Sequence, residues 1–272
     1  MAFITTLDGV RLHVRDMGEG RPVVLVHGWP LTGDMFEHQT LALLDAGYRV
    51  VTYDRRGFGL SDHAADGYDY NTLCNDLAAV LTALDLRQVS LVGFSMGGGE
   101  IARYLTRHGT GRITNVTLIG SVVPFLLKTD DHPQGVDGEV FDGMQAQIRK
   151  DRLAFLQGFA PGFYGNDVVA NPVSQGVLDW TFRLASMASP RATIACVDAF
   201  GRTDFRPDLA SFTVPTLIIH GTADATVPID LTARAAAAAI LGATLIEYEG
   251  EAHGLFATAA ERLNADLLQF IG

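Results

Sequence analysis

The chain has 272 residues, of which 48% are hydrophobic and 19% are charged, and its 31 acidic and 20 basic side chains give a net charge of −11. This apolar content excludes a disordered chain, and a chain of this length buries enough surface to fold without disulfide or metal cross-links. Because lysine occurs only at Lys128 and Lys150 and there is no basic run, nucleic acid is excluded as the main partner and an anionic membrane surface is disfavoured.

Cysteine use and the N-terminal residues predict a cytoplasmic protein. Cys74 and Cys196 have neither CxxC nor metal-ligand spacing, so we expect both to be reduced core residues. The first residues lack the cationic start and the apolar stretch of a signal peptide. No apolar run approaches the ~18 residues that cross a bilayer, so no membrane partner is expected.

Short apolar segments alternate with helix-like segments in chain order. Residues 3–7 and 10–15 predict a hairpin around Asp8-Gly9, a dipeptide that favours tight turns. The later strands are continuous apolar runs that end in Gly, Asp or His, which indicates burial on both faces and therefore a parallel sheet. These strands are predicted over residues 23–26, 50–53, 89–92, 116–119, 217–219 and 245–248, and helices over residues 36–46, 72–84, 100–108, 231–241 and 255–270.

This order of segments predicts a doubly wound α/β fold with a mostly parallel sheet and helices on both faces. Residues 122–212 break the alternation, because they contain many aromatic residues in helix-compatible segments and no apolar strand. We interpret them as a helical cap inserted into a core of residues 1–121 and 213–272. The cap would cover the carboxyl ends of the strands, where ligands of such sheets bind, and some of its aromatic side chains would line the pocket.

The segment Gly93-Phe94-Ser95-Met96-Gly97 lies between a predicted strand and a predicted helix. This G-x-S-x-G pattern, in that context, predicts that Ser95 is a nucleophile on a strained turn. The two glycines allow the strand and the helix to approach closely. The N–H group of Met96, at the start of the helix, would bind the oxyanion that forms on a substrate carbonyl.

A nucleophilic serine needs a base to accept its proton and a carboxylate to orient that base. Among the eight histidines, His253 follows the last predicted strand, where a loop would deliver it to the site. Asp224 follows the strand at residues 217–219, so the chain order is Ser, Asp, His, as in hydrolases with this nucleophile pattern. The rival acids are Asp54, Asp62 and Asp230.

Three further residues at strand ends are predicted to have structural roles. His27 and His220 each precede a glycine and lie in apolar runs, so we expect them to support loops. Asp54 is followed by Arg55 and Arg56, which favours a structural ion pair.

A second oxyanion donor is expected in the loop after the first parallel strand, His27-Gly28-Trp29-Pro30. Gly28 permits an unusual turn, and Pro30 biases Trp29 away from helical backbone, so the Trp29 N–H can point at the site. Whether the Trp29-Pro30 bond is cis is left open. The substrate pocket is predicted to comprise Pro30, Phe94, Phe125, Phe141, Phe159 and Val227.

Together these motifs resemble the α/β-hydrolase superfamily and, within it, the bacterial aryl esterases that are also called cofactor-free or non-haem haloperoxidases. The resemblance covers essentially the whole chain and implies that Ser95, Asp224 and His253 are the triad, with Trp29 and Met96 as the oxyanion hole. Phe94 stands where many members have histidine, a difference that concerns the polarity of the pocket and not the triad. The matching segments are residues 27–30, 53–59, 61–62, 93–103, 203–206 and 220–224, and residues 124–143 also resemble a γ-lactamase of this group.

The resemblance implies a serine esterase for small carboxylic esters, with perhydrolysis as a side activity. No haem, metal or flavin signature occurs in the sequence, so we expect no cofactor. Halide oxidation would then be indirect: hydrogen peroxide replaces water as the acyl acceptor, and the released peracid is the oxidant. Members of the group often form trimers or larger assemblies, so a homo-oligomer stays open for this chain.

Two alternatives remain open, a γ-lactamase or amidase of the same group and a small-molecule receptor that keeps an intact triad. A dinucleotide-binding enzyme is disfavoured: residues 97–102 satisfy G-x-G-x-x-A, but the next strand lacks the acidic residue that holds a ribose. Epoxide hydrolases and haloalkane dehalogenases are excluded because they need a carboxylate nucleophile in place of Ser95. The aromatic cap predicts an apolar or aryl acyl group in the substrate.

Overall fold

A computed structural model describes residues 2–165 and 172–272 and contains a central eight-stranded sheet. The strand order is β1-β2-β4-β3-β5-β6-β7-β8; β1 pairs with β2 and β2 with β4 in antiparallel fashion, and all other pairs are parallel. The predicted doubly wound α/β fold is confirmed. The strands are β1 (Ala2–Thr5), β2 (Arg11–Met17), β3 (Pro22–Val26), β4 (Arg49–Tyr53), β5 (Val89–Phe94), β6 (Ile113–Ile119), β7 (Thr216–Gly221) and β8 (Thr244–Tyr248).

Helices cover both faces of the sheet. They are α1 (Glu37–Asp45), α2 (Tyr70–Ala83), α3 (Met96–His108), α4 (Gly138–Phe163), α5 (Gln175–Ser186), α6 (Pro190–Arg202), α7 (Ala233–Ala239), α8 (Leu255–Thr258) and α9 (Ala260–Ile271), with short 3₁₀ helices at Gly33–Phe36 and Arg206–Ser211. None of these helices, within the described ranges, is long and apolar enough to cross a membrane.

Neighbouring residues of the central strands belong to two different hydrophobic clusters. In β3, Val24 packs in the cluster that contains α2 and α3, whereas Val23 and Leu25 pack in the cluster that contains α1 and α9. All three side chains are fully buried. Burial on both faces explains why these strands are continuous apolar runs instead of alternating ones.

Two predicted elements differ from the structure. The hairpin has a longer loop than the two-residue turn favoured by Asp8-Gly9, because Thr6 donates its N–H to Val10 and closes the loop there. The helix predicted over residues 255–270 is divided into α8 and α9 at Ala259, whose backbone has φ −119° and ψ 33°. Its apolar periodicity continues across the break, so the pattern by itself gave no sign of it.

Between β6 and β7 the described chain forms α4, α5 and α6. Helix α4 is interrupted at Asp151 (φ −157°, ψ 92°), whose carboxylate accepts the N–H of Ala154 and thereby restarts the helix. Ser174 and Ser189 cap α5 and α6 with their hydroxyl groups. The division into a core and a cap of residues 122–212 stays a prediction.

The prediction that Asp54 forms an ion pair with Arg55 and Arg56 is wrong. Asp54 accepts the N–H groups of Gly33 and Leu60, and its Oδ2 lies 3.1 Å from Nδ1 of His13. The side chain thus faces β2 and the 3₁₀ helix at Gly33–Phe36, while the two arginines pair with other carboxylates. Arg56 instead makes two hydrogen bonds of 2.6 and 2.7 Å to Asp76.

Arg55 makes a fully buried ion pair with Glu100 on α3, with Nε 2.8 Å from Oε2. Tyr53 also donates a hydrogen bond to Glu100. A buried charge that loses its partner is strongly destabilising, whereas replacing both charges with apolar groups is often nearly neutral.

We therefore expect Arg55→Met to lower the free energy of unfolding by about 3–5 kcal/mol, because Glu100 keeps its charge in a buried site. The double variant Arg55→Met/Glu100→Leu should lose less than Arg55→Met alone. Urea denaturation followed by tryptophan fluorescence measures both. The control is Arg87→Met, which removes an exposed partner of Asp85 and should change little; equal losses in Arg55→Met and Arg87→Met would contradict the assignment.

Candidate active site

Ser95 lies on the turn between β5 and α3 with φ 52° and ψ −118°, a left-handed conformation that is strained for a non-glycine residue. Its N–H donates to the carbonyl of Ile119 at 2.8 Å, and its carbonyl accepts the N–H of Gly98. A Cβ atom on Gly97 would collide with the carbonyl oxygen of Val26. The glycine is therefore required for α3 to begin directly behind Ser95.

His253 and Asp224 form a continuous hydrogen-bonded chain with Ser95. Nε2 of His253 lies 2.9 Å from Oγ of Ser95, and Nδ1 of His253 lies 2.6 Å from Oδ2 of Asp224. All three residues are buried, with Ser95 6% exposed and His253 1% exposed. Asp224 follows β7 and His253 follows β8, so the parallel register of these strands brings the two loops together.

The other oxygen of Asp224 accepts the backbone N–H groups of Thr226 and Val227 at 2.9 and 2.8 Å. Burial by itself would raise the pKa of the Asp224 carboxyl. The charge and hydrogen bond of His253, together with a hydrogen bond from His220, outweigh that effect and hold the pKa below the ordinary value of 3.8. Asp224 is consequently ionised at neutral pH and can stabilise a positive charge on His253.

None of the rival acids takes part in this chain of hydrogen bonds. Asp54 is occupied by His13 and backbone N–H groups, as described above. Asp62 is held by Arg11, with two oxygen–nitrogen distances of 2.9 and 3.1 Å. Asp230 pairs with Arg234 on α7 at 2.7 Å.

The loop of Gly28 and Trp29 packs directly against Ser95, since a Cβ atom on Gly28 would lie 3.0 Å from Cβ of that residue. Within residues 2–165 and 172–272, the N–H groups of Trp29 and Met96 donate to no other protein group. The indole Nε1 of Trp29 donates to the carbonyl of Thr193 on α6 at 3.0 Å and anchors the loop. The Trp29-Pro30 peptide bond is cis.

His27 supports this loop from below, as the sequence predicted. Its Nδ1 lies 2.8 Å from the carbonyl oxygen of Gly28, and its Nε2 accepts the N–H of Arg55 at 2.9 Å. The hydrogen is therefore on Nδ1. Complete burial, followed by the charge of Arg55, lowers the pKa of His27 to about 3, so the imidazole is neutral near pH 7.

His220 does more than support a loop. Its Nε2 lies 2.8 Å from the carbonyl oxygen of Val227 and 3.1 Å from Oδ2 of Asp224. This contact with the acid was not predicted from the sequence. The sequence did contain a signal for the contact: His220 lies at the end of β7 and stands four residues before Asp224. A tight turn after the strand can bring a residue at that distance back to the strand end.

A cavity of about 400 Å³ lies above Ser95 and His253. Of the predicted pocket residues, Phe141, Phe159 and Val227 line it, and their role in substrate binding stays a prediction. Its wall is almost wholly apolar and also includes Trp29, Val122, Leu126, Val136, Val140, Met144, Phe163, Phe200 and Pro228.

The other three predicted pocket residues lie outside this cavity. Phe94 is at the end of β5, faces the core and is fully buried. Its ring lies beneath His253, with 4.8 Å between the two ring centres. Phe125 packs under Arg206, whose guanidinium carbon is 4.9 Å from its ring centre. Pro30 borders a separate void of about 10 Å³.

In the described part of the chain, no three His, Cys, Asp or Glu side chains are grouped so that they could hold a metal ion. Cys74 and Cys196 are buried free thiols, and burial raises the pKa of each to about 12.

The chain belongs to the alpha/beta hydrolase fold family, which its residues 21–260 match. It is 46% identical over 273 residues to the non-heme chloroperoxidase CPO-A1 of Kitasatospora aureofaciens, covering 100% of this chain and 99% of that relative. It is 39% identical over 275 residues to the bifunctional esterase/perhydrolase of Acinetobacter calcoaceticus, with the same coverage. The crystal structure of bromoperoxidase from Bacillus anthracis superposes with a TM-score of 0.96 at 44% identity over 99% of both chains. The family resemblance inferred from the motifs is confirmed.

The neutral state of His27 has a consequence for stability at acid pH. An unfolded His27 takes up a proton below its ordinary pKa of 6.5, whereas the folded one resists protonation down to about 3. The free energy of unfolding should therefore fall as pH drops from 6.5 toward 3, by up to about 1.4 kcal/mol per pH unit from this residue.

We expect His27→Asn to show a smaller decline in stability between pH 6 and pH 4 than the wild type, as measured by urea denaturation at a series of pH values. The control His63→Asn replaces an exposed histidine and should keep the wild-type slope. Equal slopes in the wild type and His27→Asn would show that His27 is not the group responsible.

Proposed function

We propose that the protein is a serine esterase that cleaves small carboxylic esters through an acyl-enzyme on Ser95, with perhydrolysis as a second reaction of the same intermediate. The observation that carries this proposal is the buried chain from Ser95 Oγ through His253 to Asp224, at the floor of an apolar cavity. The names of the chloroperoxidase and esterase/perhydrolase relatives support it.

In the first step, Oγ of Ser95 bonds to the carbonyl carbon of the ester while Nε2 of His253 accepts the hydroxyl proton. The carbonyl oxygen becomes an oxyanion, and the N–H groups of Trp29 and Met96 stabilise it. Asp224 holds Nδ1–H of His253 and stabilises the imidazolium without taking the proton.

In the second step, His253 gives its proton to the leaving alcohol or phenol, and the carbon–oxygen bond of the ester breaks. Water then attacks the carbonyl carbon of the acyl-enzyme while His253 accepts one of its protons. His253 returns that proton to Oγ of Ser95 as the acyl–Oγ bond breaks, and a carboxylic acid is released. When hydrogen peroxide attacks instead, the product is a peracid, which oxidises halide in solution. This route accounts for halogenation with the residues of the chain, an acyl donor, peroxide and halide.

The cavity favours a neutral acyl group. Its lining residues in the described chain include no charged Asp, Glu, Lys or Arg side chain. An unpaired carboxylate bound there would lose its hydration without gaining a cation, which is strongly unfavourable.

The homo-oligomer, the cytoplasmic location and the lactam or amide alternative stay predictions from the sequence.

Ser95→Ala tests the nucleophile. The wild type should hydrolyse p-nitrophenyl acetate and butyrate and, with peroxide and bromide, brominate a phenol indicator. Both activities should fall to the background rate in Ser95→Ala with an unchanged circular-dichroism spectrum, because they share one acyl-enzyme. Bromination that persists in Ser95→Ala would contradict perhydrolysis at this site, and an inactive wild type would favour the lactam or receptor alternatives.

The charge preference has its own test. We expect kcat/KM for the p-nitrophenyl monoester of succinate to be at least about 100-fold lower than for the butyrate ester, because a charged group in an apolar site loses several kcal/mol of solvation. The succinamate ester, neutral and of similar size, is the control and should lie between them. Equal kcat/KM for succinate and butyrate esters would contradict a cavity selective for neutral acyl groups.

A further inference from the structure

Asp224 contacts two histidines, and the proposed mechanism uses only one of them. His253 meets Oδ2 at 2.6 Å, and His220 meets the same oxygen at 3.1 Å. The side chains of His220 and Asp224 are both fully buried. His220 is therefore part of the surroundings of the acid, although it lies on β7 and touches neither Ser95 nor the cavity.

The hydrogen on His220 is fixed by its neighbours. Nε2 faces two acceptors, the carbonyl oxygen of Val227 at 2.8 Å and Oδ2 of Asp224 at 3.1 Å, so Nε2 must be the protonated nitrogen. The contact with Val227 is the shorter of the two. Nδ1 is buried and has no partner among the described residues. A single N–H group is consequently hydrogen-bonded to Val227 and lies within ion-pair distance of Asp224.

These two acceptors lie at the two ends of one short loop. The N–H groups of Thr226 and Val227 donate to Oδ1 of Asp224, so the carboxylate organises the loop from its start. Val227 and its neighbours in this loop also form part of the cavity wall. Movement of the Val227 carbonyl would change both the orientation of the acid and the shape of the cavity.

We propose that His220 is a positioning residue for the reaction. Its Nε2–H holds Oδ2 of Asp224 toward His253, and it holds the carbonyl of Val227, a residue that lines the cavity, next to β7. This inference rests on the triad role proposed above. His220 neither touches substrate nor exchanges a proton during turnover. It acts by setting the direction and the charge of the acid that His253 needs.

Loss of the His220 donor would also change how strongly Asp224 stabilises a positive charge on His253. A carboxylate oxygen that loses one donor carries more negative charge toward its remaining donor and stabilises the imidazolium more strongly. Removing the His220 donor should therefore move the acid limb of kcat/KM to higher pH while the orientation of the acid worsens. Among the described residues, Glu247 on β8 pairs with His220 in the sheet, and its charge is neutralised by Arg234 on α7 in an ion pair of 2.7 Å.

The test uses two substitutions at this position and one matched control. His220→Leu removes the donor, whereas His220→Gln places an amide N–H where Nε2 lies. His13→Leu is the control, because His13 is equally buried and contacts a carboxylate, Asp54, but lies outside the site. The titration of His253 is followed by NMR in each protein, and kcat/KM for p-nitrophenyl butyrate is measured against pH.

For His220→Leu we expect a fall in kcat/KM of roughly tenfold or more, the size of one hydrogen bond to a charged group. Its acid limb and the NMR titration of His253 should both move to higher pH, by about 0.5–1 unit. His220→Gln should recover most of both changes. His13→Leu should lower thermal stability and leave the titration of His253 in place.

The inference is wrong if His220→Leu keeps the wild-type His253 titration, or if His13→Leu shifts it equally, because either result would reduce His220 to a packing role. Failure of rescue by His220→Gln, with the protein folded, would likewise exclude the donor as the cause. If the wild type turns over no ester, the proposed function fails, whereas the NMR titration still tests the contact between His220 and Asp224.

Discussion

The close contact between the start of α3 and the end of β3 is the constraint on which the site depends. Only glycine fits at position 97, because any Cβ atom there would meet the Val26 carbonyl oxygen. The helix begins directly after Ser95, whose backbone is left-handed, and the N–H of Met96 at its first position has no helical acceptor. The conformation of Ser95 and the position of the Met96 N–H therefore belong to one tight turn, which the bond from Ser95 N–H to the Ile119 carbonyl supports from the neighbouring strand.

Buried charge lies beneath the catalytic loops and not in the cavity. Arg55 pairs with Glu100 on α3, and its Nη2 also donates to the carbonyl oxygen of His27 at 2.7 Å. Arg55 therefore connects α3 to the loop of residues 27–30. The cavity above has an apolar wall. In such surroundings, hydrogen bonds to a charge that develops during the reaction are stronger than in water. The buried polar groups that support the site are thus separate from the apolar cavity above it.

Much of the fold could be predicted because the relevant signals are local. The buried strands are continuous apolar runs, and the nucleophile turn needs small residues at fixed positions around Ser95. The positions of Asp224 and His253 at strand ends also followed from the sequence, since parallel strands all deliver their loops to one edge of the sheet. Where the predictions failed, the missing information was the direction of a side chain. Asp54 was expected to face the arginines beside it, and Phe94 was expected in the cavity instead of under His253.

The sequence by itself determined the alternation of strands and helices, the family and the three residues that meet at the site. Those features depend on residue type and spacing, which the chain carries along its length. Only the tertiary structure decided the strand order, the break between α8 and α9, the apolar wall of the cavity and the contact of His220 with Asp224. Each of these depends on which distant segments pack together. His220 illustrates the reason. Its partners are near it in sequence, but the loop that carries them is held in place by β8 and the rest of the sheet.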